Sequence, residues 1–150
     1  YRPLLVGDSP RPSQEIVNLV RLGERRVGAG EPCLVVAEAG INHQGDVEIA
    51  LRLVREAARC GADVIKWQKK TPELALPRTQ GQVLRETPWG VVMSYLDYRR
   101  RLEFDRVAYD RIDAMCREVG IAWTASVWDL PSLEFLLAYD PRGSRFPLPA

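Results

Sequence analysis

The sequence is short of the residues that most often build metal and redox sites. Its 150 residues include one histidine, His43, and three cysteines. Zinc and iron sites need several such ligands at close spacing, so no metal ligand is assigned among these residues. The cysteines, at positions 33, 60 and 116, are far apart and lie within apolar patterns. We expect them to be buried, reduced thiols.

An excess of charge and a long apolar run are also missing. The net charge is +1 at pH 7, which gives no reason to expect binding to nucleic acid or to an anionic membrane. No apolar run approaches the ~20 residues of a membrane-spanning helix. The first eight residues lack the apolar stretch of a secretory signal peptide, so a cytoplasmic protein is expected.

Three common catalytic and nucleotide-binding motifs are absent. The sequence has no P-loop, no G-x-G-x-x-G and no G-x-S-x-G. It is 46% hydrophobic and 27% charged, an ordinary composition that can supply one domain with a core.

Short apolar runs alternate with amphipathic stretches along the chain. Asp46 and Asp105 are suitable N-caps, and Gly61 and Gly120 suit helix ends. The pattern predicts strands at 34–36, 62–68 and 121–126, and helices at 46–60, 105–119 and 129–139. The order β-α-β-α-β-α predicts an α/β fold with a parallel sheet. Three such units fit part of an open sheet or part of a (β/α)₈ barrel, which needs about 200–250 residues to close.

The remaining segments are predicted to be less regular. Residues 1–32 are interpreted as an N-terminal arm with a short hairpin that turns near Gly23. Residues 69–104 form a long excursion, for which a short helix is predicted at 97–101.

Polar side chains stand where each predicted strand ends. Glu38 follows the first strand, Lys66 and Gln68 end the second, and Ser126 ends the third. Because ligands of α/β folds bind at the carboxyl ends of the strands, these residues are predicted to form one site. A lysine there is either a point charge for phosphate or carboxylate, or a Schiff-base nucleophile. Glu38 suits general acid–base work or binding of a substrate hydroxyl.

Four further residues near these ends have different interpretations. Asn42 lies in the turn after the first strand, where a ligand is expected. His43 is expected to shape that turn or to touch substrate. Lys69 and Lys70 are interpreted as solvated loop charges.

Five segments carry a family resemblance: VAEAGINHQGD at 36–46, GADVIKWQK at 61–69, TPWG at 87–90, LEF at 102–104 and GIAWTASVWD at 120–129. Together, over roughly residues 20–140, the sequence resembles the N-acetylneuraminate (sialic acid) synthase family. Members of this family are phosphoenolpyruvate-dependent nonulosonate synthases.

The resemblance implies a (β/α)₈ TIM barrel, of which residues 33–140 would form the first three βα units. It implies a transferase that condenses phosphoenolpyruvate with N-acetylmannosamine or a related N-acyl hexosamine. The products would be a sialic acid-type nonulosonate and phosphate. A divalent metal, Mn²⁺ or Mg²⁺, would polarise the sugar aldehyde, and its ligands are expected outside this sequence. A homodimer is also implied.

The resemblance assigns roles to individual residues. Glu38 would be the catalytic residue that handles protons around the intermediate. The substrate-binding residues would be Lys66, Gln68, Ser126 and Asn42, with Lys66 on phosphoenolpyruvate and Ser126 near the phosphate. This chemistry needs no lysine adduct.

Residues 141–150 do not resemble the family and are interpreted as a divergent or truncated tail. Two alternatives remain open. One is a Schiff-base aldolase-type barrel that uses Lys66. The other is a truncated, non-catalytic fragment of a synthase.

Overall fold

The computed structural model of the chain describes residues 19–22 and 25–139. In chain order the elements are β1 (Val20–Leu22), β2 (Arg25–Val27), β3 (Val36–Gly40), α1 (Val47–Arg59), β4 (Val64–Lys69), α2 (Pro72–Ala75), α3 (Arg78–Gly81), β5 (Leu84–Glu86), β6 (Val92–Ser94), α4 (Tyr95–Leu102), α5 (Arg106–Val119), β7 (Ala122–Val127) and α6 (Leu130–Leu137). None of the described helices has the length and apolar character needed to cross a bilayer.

A parallel sheet of three strands, in the order β3-β4-β7, forms the centre of the fold. Helices α1, α5 and α6 pack against one of its faces. The α/β fold and the parallel sheet predicted from the sequence are therefore confirmed. The predicted hairpin is present as the antiparallel pair β1–β2. Its turn, the arm at 1–15 and the tail at 141–150 lie outside the described residues.

Local signals explain the two long helices. The Asp46 carboxylate accepts hydrogen bonds from the N–H groups of Glu48 and Ile49, at 2.8 and 3.3 Å, and so caps α1. Asp105 caps α5 in the same way through the N–H of Ala108, at 2.9 Å. Gly120 ends α5 with φ +74°, a conformation that favours glycine. The predictions of both helices and of their caps are confirmed.

The core lies between these helices and one face of the sheet. Each strand contributes alternate side chains to it, because successive residues of a strand point to opposite faces. The sheet residues that belong to this core are Ala39, Ile65, Trp67, Trp123 and Ala125. An aromatic group on the helical side packs over them, built from Phe104, Tyr109, Phe135 and Tyr139.

The prediction for the first core strand was wrong in its boundaries. The strand begins at Val36 rather than Leu34, and Glu38 lies within it rather than after it. Val35 and Val36 are 50% and 44% exposed, although a short apolar run such as 34–36 is typical of a parallel strand covered on both faces. The reason is that β3 is an outer strand of the described sheet and helices cover only one face of it.

The expectation of three buried cysteines was also wrong. Cys116 is buried within α5, but Cys33 and Cys60 are exposed. Cys60 is the C-cap of α1, and Cys33 lies in the segment that leads into β3. Both are therefore outside the core, even though apolar patterns surround them in the sequence.

The excursion after β4 folds into short elements. It contains α2, α3, the antiparallel pair β5–β6 and α4, which is longer than the helix predicted at 97–101. Arg100 of α4 binds Glu73 of α2 at 2.6 Å. The end of α4 also packs closely on the turn after β3, because a Cβ atom on Gly45 would overlap the Arg101 carbonyl oxygen. The excursion is thus anchored against the sheet's carboxyl edge.

Candidate functional site

Polar side chains occupy the face of the sheet that the helices leave uncovered. They alternate along the strands with the buried core residues and therefore point away from the helices. We call this surface the polar face, and it consists of Glu38, Lys66, Gln68, Thr124 and Ser126.

The register of the strands places these residues in rows. Glu38 pairs with Lys66, and Lys66 pairs in turn with Thr124 on the other side. Gln68 pairs with Ser126 one row further toward the carboxyl edge. The structure thus brings together four of the predicted site residues. Thr124 completes the first row and was missed by the sequence reasoning, although its spacing of two from Ser126 indicates the same face.

Glu38 and Lys66 form an ion pair, with 2.6 Å between Oε2 and Nζ. Their side chains are 49% and 36% exposed. A Schiff-base lysine is typically desolvated in an apolar pocket, whereas Lys66 is partly solvated and paired with a carboxylate. The arrangement favours Lys66 as a point charge over Lys66 as a nucleophile.

Gln68 lies beside a glycine that leaves room for it. Its Nε2 is 3.4 Å from the point where a Cβ atom on Gly40 would stand, and Glu38 Oε1 is 3.5 Å from the same point. The register of β3 and β4 shifts here, between Glu38 and Gly40. Such irregularities often adjust the direction of side chains next to a site. At this position, Gly40 lets the two polar side chains approach each other.

Asn42 lies in the turn that follows β3. It is exposed, and its backbone N–H donates to the Ala39 carbonyl at 3.0 Å. This places it at the carboxyl edge of the sheet. Among the described residues, no hydrogen bond joins its side chain to the polar face.

His43 shapes this turn, as one of its two interpretations expected. Its ring is buried and stacks on Phe104 with 4.0 Å between centroids, and Nδ1 accepts the N–H of Gly45 at 3.1 Å. Burial lowers the pKa of His43 from 6.5 to about 4. The ring is therefore neutral at pH 7, with its proton on Nε2.

The interpretation of Lys69 and Lys70 as solvated loop charges was wrong. Lys69 Nζ lies 3.4 Å from Glu103 Oε2 and donates to the Phe104 carbonyl at 3.0 Å. Lys70 is only 2% exposed. Its Nζ donates to Gln68 Oε1 at 3.0 Å and lies 4.2 Å from the centre of the Trp128 ring.

Distant residues hold this segment in place. The Glu103 carboxylate accepts the backbone N–H of Lys70 at 3.3 Å. The Asp129 carboxylate accepts the N–H and the hydroxyl of Thr71, at 2.5 and 3.0 Å. Glu103 and Asp129 lie within the LEF and GIAWTASVWD segments, so the motifs themselves were a signal that these carboxylates matter.

Burial sets the electrostatics of the segment. Desolvation lowers the pKa of Lys70, the nearby charge of Arg99 lowers it further, and Glu103 opposes both. Desolvation raises the pKa of Glu103, against the opposing charges and hydrogen bonds of Lys69 and Lys70. Burial thus disfavours the charged forms of Lys70 and Glu103 alike.

No metal centre is formed by the part of the chain that the structure describes. No group of three or more His, Cys, Asp and Glu side chains is placed there to hold a metal ion. Glu38 is paired with Lys66, and His43 is stacked in the turn. The described residues thus do not supply the ligand set of a divalent metal.

Comparisons with known proteins agree on one family. The model of the NeuB family matches residues 53–144. The N-acetylneuraminate-9-phosphate synthases of Mus musculus and Homo sapiens are 39% and 40% identical over 114 residues, which are 75% of this chain and 31% of each relative. The N,N'-diacetyllegionaminic acid synthase of Legionella pneumophila is 25% identical over 121 residues, 80% of this chain and 34% of the relative.

A solved structure has a similar fold. It is an N-acetylneuraminic acid (sialic acid) synthetase from Leptospira borgpetersenii in complex with citrate, with a TM-score of 0.69 and 25% identity. The similarity covers 83% of this chain and 39% of that one. The chain thus spans about a third of the length of the curated relatives it matches.

Proposed function

The chain belongs to the NeuB family, and we propose that it takes part in condensing phosphoenolpyruvate with N-acetylmannosamine or a related N-acyl hexosamine. The products are a sialic acid-type nonulosonate and phosphate. The proposal includes a cytoplasmic location and a homodimer. The proposal is supported by the similarity of the chain to sialic acid synthases and by the polar face of the sheet. The observation that carries the proposal is the Glu38–Lys66 pair in register, with Gln68 and Ser126 in the next row.

The proposed architecture is the first part of a (β/α)₈ barrel. Helices cover one face of the parallel sheet, and the polar face is left free, which suits strands whose second face lines a barrel interior. Residues 33–140 would form three βα units of that barrel, and residues 1–32 an arm in front of them.

In this reaction, C3 of phosphoenolpyruvate attacks the aldehyde carbon of the open-chain sugar, water adds at C2 and phosphate leaves. The ammonium of Lys66 binds an oxygen of the phosphoenolpyruvate carboxylate or phosphate as a point charge. The Ser126 hydroxyl donates to a neighbouring oxygen, and Asn42 contacts substrate from the turn. These contacts orient the enol for attack.

Glu38 handles the proton in this scheme. When the ligand's anionic oxygen takes over Lys66, the Glu38 carboxylate is released to accept a proton from the water that adds at C2. A divalent metal would polarise the sugar aldehyde, and the described residues do not provide its ligands. We therefore assign no metal-dependent step to these side chains.

The proposal is tested by isothermal titration of the chain with phosphoenolpyruvate. Lys66→Ala should abolish binding and leave the far-UV circular dichroism spectrum unchanged. Arg52→Ala, on the exposed side of α1, is the matched control and should bind as the unmodified chain does.

Two results would contradict the proposal. Unchanged affinity in Lys66→Ala would remove the site assignment, and a folded chain that never binds phosphoenolpyruvate would favour the non-catalytic alternative. The Schiff-base alternative predicts a covalent adduct on Lys66 after borohydride treatment with pyruvate. We expect none, because Lys66 is paired with a carboxylate.

A further inference from the structure

The three lysines of the sequence are Lys66, Lys69 and Lys70, all near the carboxyl end of β4. Lys66 reaches Glu38 on the polar face, and Lys69 reaches Glu103 on the helical side. Lys70 does neither. Its ammonium is buried against the side chain of Gln68 and the ring of Trp128.

The chemistry of Lys70 decides how the Gln68 amide is turned. An ammonium has three N–H donors and no acceptor, whereas an amide has one oxygen acceptor and one NH₂ donor group. The Gln68 atom 3.0 Å from Lys70 Nζ must therefore be Oε1. The NH₂ group then points the other way, to the space beside Gly40 that Glu38 also borders.

We propose that Lys70 is a positioning residue that holds the Gln68 amide in one orientation, so that Gln68 presents only N–H donors to a ligand on the polar face. The proposal rests on the proposed function for the identity of the ligand. It deepens that function by stating which ligand atom Gln68 takes: an oxygen acceptor of a carboxylate, phosphate or carbonyl group.

The burial of Lys70 argues that its role is in the site rather than in the fold. A buried charge destabilises a protein unless it is well compensated. Here the compensation is a neutral amide, an aromatic face and a carboxylate that already serves Lys69 and the Lys70 N–H. A methionine of similar length would fill the same space without that cost. Lys70 thus contributes little to stability, and its role is to fix the orientation of the Gln68 side-chain amide.

The test compares Lys70→Met with Lys69→Met, which is the same change one residue away. Nuclear magnetic resonance of the free chain measures the side-chain carbonyl ¹³Cδ of Gln68, which a hydrogen bond from an ammonium deshields. Lys70→Met should move this signal upfield and leave the melting temperature unchanged or higher. Lys69→Met should leave the signal in place and lower the melting temperature, because it removes the partner of Glu103.

Phosphoenolpyruvate is the probe for the ligand. It should shift the Gln68 NH₂ signals of the unmodified chain, and its dissociation constant should rise about tenfold in Lys70→Met, as for one lost charge-oriented hydrogen bond. Gln68→Glu keeps an oxygen for Lys70 but has no N–H donor, so it should lose binding and remain folded.

The outcomes separate this proposal from the proposed function. A Gln68 ¹³Cδ signal that does not change in Lys70→Met overturns the orientation, whether or not phosphoenolpyruvate binds. Binding without any shift of the Gln68 NH₂ signals overturns the donor role. A melting temperature that falls in Lys70→Met while affinity is kept shows a purely structural lysine and also overturns it. Failure of the unmodified chain to bind phosphoenolpyruvate counts against the proposed function, and the ¹³Cδ comparison in the free chain still decides the orientation.

Discussion

Lys66 Nζ lies 2.6 Å from Glu38 Oε2, across two parallel strands whose Cα atoms pair in register at these two residues. The pair is partly solvated, so its contribution to stability is small. A ligand anion can therefore take Lys66 from Glu38 at little cost to the fold. In the absence of ligand, the pair holds the Lys66 ammonium on the polar face, where an anion can bind it.

The first prediction removes the carboxylate of this pair. Glu38→Gln should change the free energy of unfolding by no more than about 0.5 kcal/mol, as for a solvated ion pair. Affinity for phosphoenolpyruvate should stay the same or rise, because Lys66 no longer has a competing partner. Chemical denaturation and isothermal titration measure the two quantities. A loss of affinity as large as in Lys66→Ala would show that Glu38 binds the ligand itself.

The second prediction concerns pH and His43. The pKa of His43 is about 4 in the folded chain and 6.5 for a free histidine, so between these values the unfolded chain binds more protons. The stability contributed by the neutral ring is therefore full above pH 6.5 and is lost as the pH falls toward 4. The whole contribution is on the order of 3 kcal/mol.

His43→Asn is the variant for this measurement, since asparagine keeps an oxygen acceptor for the Gly45 N–H and does not titrate. The free energy of unfolding of both proteins is followed from pH 7 to pH 4. The gap between them should shrink across this window. Other groups that titrate in this window are common to both proteins, and a constant gap would contradict the prediction.

The third prediction concerns the contact between Lys69 and Glu103. Both side chains are 13% exposed, and Glu103 also accepts the Lys70 N–H. Glu103→Gln leaves a buried ammonium without its carboxylate and should lower the free energy of unfolding by about 2 kcal/mol or more. Glu134→Gln, on the exposed side of α6, is the control and should have almost no effect. Equal stabilities of the two variants would argue against a structural role for this contact.

The fourth prediction compares two glycines with nearly the same backbone angle. Gly45 and Gly61 have φ of +78° and +79°. A Cβ on Gly45 would overlap the Arg101 carbonyl oxygen, whereas nothing lies within 4 Å of one on Gly61. Gly61→Ala should cost about 1 kcal/mol of backbone strain, and Gly45→Ala clearly more. Thermal denaturation measures the loss of stability in each variant. Equal losses would show that the backbone at Arg101 can move away from an added Cβ atom without further cost.

The features that sequence reasoning predicted are those set by nearby residues. The capping residues Asp46 and Asp105 bind N–H groups two or three residues further along the chain. The starts of α1 and α5 could therefore be predicted from the sequence. The position of Lys66 and Gln68 at the end of an apolar run likewise indicated that they lie near the carboxyl edge of the sheet. A parallel order was also predictable, because helix and strand alternate along the chain.

The features that were missed depend on contacts between distant residues. Lys70 is buried because Glu103 and Trp128 close around it, and Thr71 is held by Asp129, 58 residues away. Nothing near Lys70 in the sequence indicates this. The error at Val35 and Val36 has a similar cause, since a run of valines does not reveal that helices cover only one face of its strand.

The ring of Trp128 has an optical consequence. It is more than half exposed, and its centre lies 4.2 Å from the ammonium of Lys70, so a unit charge acts on the indole at close range. The emission wavelength of an indole follows the electric field across its ring. An anion that binds on the polar face at Gln68, the hydrogen-bond partner of Lys70, changes that field and therefore the emission wavelength of Trp128. Trp128, which lies beside the polar face, therefore reports by its fluorescence when that face is occupied.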